Sequence, residues 1–89
     1  MKEAYLEVTF RHGRPLAAYL YLPRQAGDKS HRTSRVEPGL VIDFNDSGSP
    51  IGIEFTAPTK VTVDVLNEVL HALGQRGVTQ ADLAPLRAA

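Results

Sequence analysis

Asp43, Asn45, Ser47, Gly48 and Glu54 stand at the first, third, fifth, sixth and twelfth places of a calcium-loop template. Oxygen-bearing side chains at that spacing can wrap a hard cation, and the glycine makes the sharp turn between them. The context is wrong for the helix-loop-helix hand that carries such loops. Both flanks alternate apolar and polar as strands do, and Pro50 takes a place that a hydrophobic residue normally fills. What remains is a carboxylate pair: on a hairpin, Asp43 and Glu54 fall diagonally on one sheet face, within reach of a shared divalent cation. The alternative is a pair of solvated carboxylates beside a glycine turn.

A second group of residues suits recognition rather than catalysis. Tyr19 and Tyr21 are two apart, so a strand would place both phenols on one face, with Tyr5 nearby. Phenols combine an apolar ring with a hydrogen-bonding tip, which fits a surface that associates, the alternative being an ordinary amphipathic sheet surface. Arg24, Lys29, Arg32 and Arg35, with His31 among them, make the following segment locally basic. That segment reads either as a patch for phosphate or an acidic partner, or as a solvated loop. His12, His31 and His71 fall in a turn, a polar loop and the outer side of a helix, and no nucleophile motif surrounds Ser30, Ser34, Ser47 or Ser49. No glycine loop lies between a strand and a helix to cradle phosphate, so no cofactor is expected.

Composition narrows the classes further. The 89 residues make one domain, 1–89, and the formal net charge is zero, so no global field favours nucleic acid. With no cysteine, disulfides, thiolate metal sites and cysteine nucleophiles are excluded, which suits a reducing cytoplasm. The first residues lack the charged-then-apolar layout of a signal peptide, and no apolar run is long enough to span a bilayer. A soluble, unexported protein without a membrane partner is the expectation.

The elements that position these residues follow from periodicity. Residues 4–10 alternate, with Ala4, Leu6, Val8 and Phe10 on one face. The turn set Arg11, His12, Gly13, Arg14 and Pro15 leads to a second run, 16–22, whose aliphatic face is Leu16, Ala18, Leu20 and Leu22. The polar stretch 23–39, long for a loop in a compact domain, reads as an active loop, a mobile loop or an unrecognised strand, and a short strand over 33–37 is the best candidate within it. Residues 40–44 and 51–55 read as a hairpin, where pairing Phe44 with Ile51 and Ile42 with Ile53 gathers Leu40, Ile42, Phe44, Ile51, Ile53 and Phe55 on one face. A helix over 63–73 follows, with Thr62 as N-cap, Asp64 in the first turn and Gly74 past the end. Its stripe of Leu66, Val69, Leu70 and Leu73, with Val63, must cover the sheet, while Asp64, Asn67, Glu68 and His71 face away. In the tail 75–89, Thr79 and Asp82 resemble a capping box opening one or two helical turns that Pro85 ends, and part of the tail is expected to be disordered.

The run 36–48, from Val36-Glu37-Pro38-Gly39 through Leu40-Val41-Ile42-Asp43-Phe44 to Asn45-Asp46-Ser47-Gly48, continues into Ile51-Gly52-Ile53-Glu54-Phe55-Thr56-Ala57. It resembles the signature of a small bacterial family known as domain of unknown function 2283: an aliphatic-Asp-aromatic strand, an acidic turn with glycine, then Gly-Ile-Glu. Ala17-Ala18-Tyr19-Leu20-Tyr21-Leu22 is similar to the family's second strand, so the likeness spans about 10–57. Leu16 stands where family members tend to carry an acidic residue, and the insert between Leu22 and Val36 is longer than usual. The resemblance implies a compact sheet with a helix, and it brings no activity.

The expected fold is therefore α+β: an antiparallel four- to five-stranded sheet of two hairpins, one main helix packed on one face, and a short C-terminal helical tail. The expected function is a non-enzymatic protein-interaction module that self-associates as a homodimer, with Tyr5, Tyr19, Tyr21, Arg24, Arg32 and Arg35 as partner-binding residues. Two alternatives stay open: an antitoxin-like subunit binding one cognate protein, and a weak divalent-cation site at Asp43 and Glu54.

Overall fold

The computed structural model describes residues 3–87. Five strands, β1 (Tyr5–Arg11), β2 (Arg14–Tyr21), β3 (Arg32–Val36), β4 (Leu40–Phe44) and β5 (Pro50–Phe55), form one antiparallel sheet in the order β1-β2-β5-β4-β3. One helix, α1 (Val63–Ala72), and two short 3-10 turns, Pro58–Lys60 and Ala84–Leu86, complete the described chain. The α+β expectation holds, and the strand in the polar stretch is β3.

The sheet holds three hairpins rather than the expected two, since β3 and β4 also pair antiparallel across a short turn, and the two expected ones are set by their turns. His12 and Gly13 both take positive φ, 53° and 77°, between the paired Arg11 and Arg14, which is the geometry of a two-residue turn that matches strand twist. Between β4 and β5, the Asn45 side-chain oxygen accepts from the Ser47 and Ser49 amides at 3.0 and 2.9 Å, and the Asn45 amide donates to the Ser49 carbonyl. This turn corrects one expected pair: Phe44 lies opposite Pro50, not Ile51, because the register shifts between Asp43 and Phe44. Ile42 opposite Ile53 is as expected. The long connection from β2 to β3 carries the chain past β5 and β4 to the far border, which leaves β2 and β5 as neighbours.

One face of the sheet is apolar and covered. Ala18, Leu20 and Leu22 from the β2 segment, Leu40 and Ile42 from β4, and Ile53 and Phe55 from β5 pack with Val61, Leu66, Leu70, Leu83 and Leu86. The helix is bounded as its sequence dictates. Thr62 Oγ1 accepts from the Val65 amide at 3.2 Å, and Gly74 at φ 72° donates to the His71 carbonyl while Gln75 donates to that of Leu70.

Three expectations need correction here. Asn67 does not face away: its side chain donates to the Val78 carbonyl at 3.0 Å and accepts from the Val78 amide at 2.7 Å, tying the connector after α1 onto the helix. The tail packs as far as Arg87, with Leu83 and Leu86 in the core and Arg87 donating to the Val61 carbonyl at 2.6 Å, while the last two residues of the segment expected to be partly disordered lie outside the described residues. The reciprocal bonds of Thr79 and Asp82 do form, at 2.9 and 3.2 Å, but Pro85 sits inside the short 3-10 turn they precede. Leu16 and Phe10 are not buried with the other aliphatic positions. They are 53% and 47% exposed, at the far end of the first hairpin where the register of β2 shifts against Thr9 and Phe10.

Candidate functional site

The opposite face of the sheet carries the candidate residues. Cross-strand pairing lays Tyr5, Tyr21, Gly52, Asp43 and Thr33 in one row across the five strands, and Glu7, Tyr19, Glu54, Val41 and Arg35 in the next. Residues with the same parity on neighbouring strands share a face, so this assembly follows from the registers alone.

The three tyrosines form a continuous aromatic group. Tyr5 stacks on Tyr21 with ring centres 4.4 Å apart and planes 15° from parallel, and Tyr19 meets Tyr21 edge-on at 4.7 Å. The Arg24 guanidinium lies 5.2 Å from the centre of the Tyr21 ring, so the basic insert contributes a cation to the same face. Tyr5 remains 49% exposed at the border.

Gly52 explains how Tyr19 reaches across the sheet. A Cβ at that position would collide with the Tyr19 hydroxyl and ring, so only glycine lets the phenol lie over β5. The Tyr19 hydroxyl then donates to Asp43 Oδ2 on β4 at 2.6 Å. Burial, followed by the bond to the Asp43 carboxylate, pushes the Tyr19 phenol well above its ordinary value, with a partial offset from Arg24. Tyr21 donates to Glu7 Oε1 at 3.3 Å, and its phenol is also raised, by desolvation and then by the Glu7 carboxylate. Both phenols are thus held neutral and oriented, which suits packing and hydrogen bonding but not a role as proton acceptor or nucleophile near neutral pH.

Asp43 and Glu54 do share this face, one row apart on adjacent strands. Asp43, however, is already bonded to Tyr19, and no three His, Asp or Glu side chains among the described residues come together to hold a metal ion. A cation there would have two protein carboxylates and would compete with a phenol for one of them. Asn45, which the calcium-loop template would use as a ligand, spends its side-chain oxygen on its own turn and donates from Nδ2 to Asp28 Oδ1 at 3.4 Å.

The basic insert does not form one patch. Arg24 lies on the tyrosine face and Arg35 shares the row of Glu54, but Arg32 is on the opposite side, its guanidinium 4.2 Å from the centre of the Phe44 ring. Of the six residues expected to bind a partner, five therefore lie on one surface and Arg32 does not. Sequence reasoning missed Gly52 and Glu7. Gly52 had a signal, an isolated glycine within a strand pattern, which marks a close approach of another group.

No family model, no curated protein and no solved structure matches this chain. Among the described residues no helix is long and apolar enough to cross a membrane.

Proposed function

We propose that this chain is a non-enzymatic interaction module that self-associates, with the tyrosine face and its β1 border as the contact surface. The observation that carries this reading is the stacked Tyr5, Tyr21 and Tyr19 group, fixed in place by Glu7, Asp43 and Gly52 on the face away from the core. Rings that are already oriented lose little side-chain freedom on docking, so more of their contact energy appears as affinity. Aromatic residues and arginine are also the types enriched where interfaces carry their binding energy. The absence of cysteine fits work in a reducing cytoplasm, and the likeness to domain of unknown function 2283 belongs to the same reading.

The test is static light scattering at micromolar concentration on the wild type and on the double variant Tyr5→Ser/Tyr21→Ser. The expected result is a mass of two chains for the wild type and a shift towards one chain for the variant, with unchanged far-ultraviolet circular dichroism. A wild type that is a single chain at every concentration, or a dimer indifferent to both substitutions, would refute it.

A further inference from the structure

β1 forms one border of the sheet, and two of the three large exposed hydrophobic side chains among the described residues, Tyr5 and Phe10, lie on it. They point to opposite faces: Tyr5, Glu7, Thr9 and Arg11 belong to the tyrosine face, and Leu6, Val8 and Phe10 to the helix side. The other border is different. β3 is a five-residue strand of mostly polar residues with Arg32 and Arg35, the kind of edge that resists pairing. β1 is seven residues long, contains no proline, and leaves the local irregularity of its hairpin to β2, where Leu16 falls between the paired Pro15 and Ala17. It is the border suited to accept another strand.

We propose, building on the self-association above, that the partner at this border is a second copy of the chain, paired antiparallel through β1 about a two-fold axis at Val8. The two five-stranded sheets then continue into each other. A two-fold axis normal to the sheet preserves its faces, so each residue must oppose one of the same parity. Turning about Val8 sets Tyr5 opposite the second copy's Arg11, Leu6 opposite its Phe10, Glu7 opposite its Thr9, and Val8 opposite itself. Tyr5 gains a guanidinium over a ring already stacked on Tyr21. Phe10 comes beside Leu6, which lines a cleft of about 580 Å³ bounded also by Leu22, Leu70, Val78 and Leu83. A half-exposed aromatic ring thereby reaches a recess of mixed character, lined also by Glu3, Gln75, Arg76 and Asp82, whose Leu6, Leu22, Leu70 and Leu83 wall offers it apolar contact.

The neighbouring registers are poorer. Turning about Glu7 puts two like charges directly opposite, which is destabilising. Turning about Thr9 pairs Glu7 with Arg11 but leaves Tyr5 and Leu6 beyond the paired strand. Only the Val8 register engages all seven residues of Tyr5–Arg11.

The chain has no cysteine, so a single introduced thiol reports the register directly. Val8→Cys, Glu7→Cys and Thr9→Cys are compared by air oxidation at micromolar concentration and non-reducing electrophoresis, alongside wild-type light scattering. Directly opposed cysteines fall within disulfide reach, whereas diagonal neighbours at roughly 7–8 Å do not without backbone movement. The expected result is a dimeric wild type, with Val8→Cys forming covalent dimer about tenfold faster than the other two variants. Phe10→Lys, at an exposed position, is expected to weaken the dimer about tenfold with an unchanged far-ultraviolet circular dichroism spectrum. A dimer in which Glu7→Cys or Thr9→Cys cross-links as fast as Val8→Cys, or in which none does, overturns the β1 pairing while self-association stands. A monomeric wild type overturns both.

Discussion

The two faces of this sheet are built by different physics. On the covered face, Leu66, Leu70, Ile53 and Phe55 interlock with no polar group to satisfy, and any apolar residue of the right size would do the same job. On the other face, each tyrosine is tied to a named partner: Tyr19 to Asp43 over a glycine, Tyr21 to Glu7, Tyr5 to Tyr21. The first arrangement holds the domain together. The second fixes polar and aromatic side chains in defined orientations on a face that no element of the described chain covers.

That contrast can be broken most sharply from the covered side. Leu66→Ala removes a fully buried side chain and is expected to lower unfolding free energy by about 2–5 kcal/mol, measured by urea denaturation. Leu86→Ala is expected to cost an amount in the same range, which would establish the C-terminal turn as core. On the open face, Gly52→Val is expected to cost about 1–3 kcal/mol, because Tyr19 must leave its place over β5. It should also abolish the Tyr19 bond to Asp43, a loss that no covered-face variant should produce.

A smaller effect separates the phenols from ordinary surface. The Tyr19 phenol titrates above its unfolded value of 10.0, so the folded state keeps a proton that the unfolded state has released. The associated stability is complete below pH 10 and is lost as pH rises beyond it. Thermal melts between pH 8 and 11 are expected to show this fall in the wild type and a reduced slope in Tyr19→Phe, with the remainder from Tyr21. The smallest effect belongs to Glu54, which is exposed. Glu54→Gln is expected to change stability by less than about 0.5 kcal/mol, and magnesium or calcium to leave the melting temperature of both proteins unchanged.

How much of this was legible in the sequence depends on range. Alternation and turn residues located the first hairpin, β4 and β5, the helix caps and the shared face of Tyr19 and Tyr21, because those signals act over a few residues. The position of β2 against β5 was not legible. That long-range pairing brings Tyr19 to Asp43 and assembles the candidate surface on the open face. The turn around Asn45 moved Phe44 by one residue, since its side chain fixed a register that hydrophobic pattern alone put elsewhere. Arg32 and Arg35 looked like one basic patch in the linear chain. Three residues apart on a strand, they have opposite parity, so they face opposite ways.

Sedimentation equilibrium of the wild-type protein at micromolar concentration tests the central claim most directly. A species of twice the 9.7 kDa chain mass that dissociates on dilution is expected. A single-chain mass across the whole concentration range would contradict it.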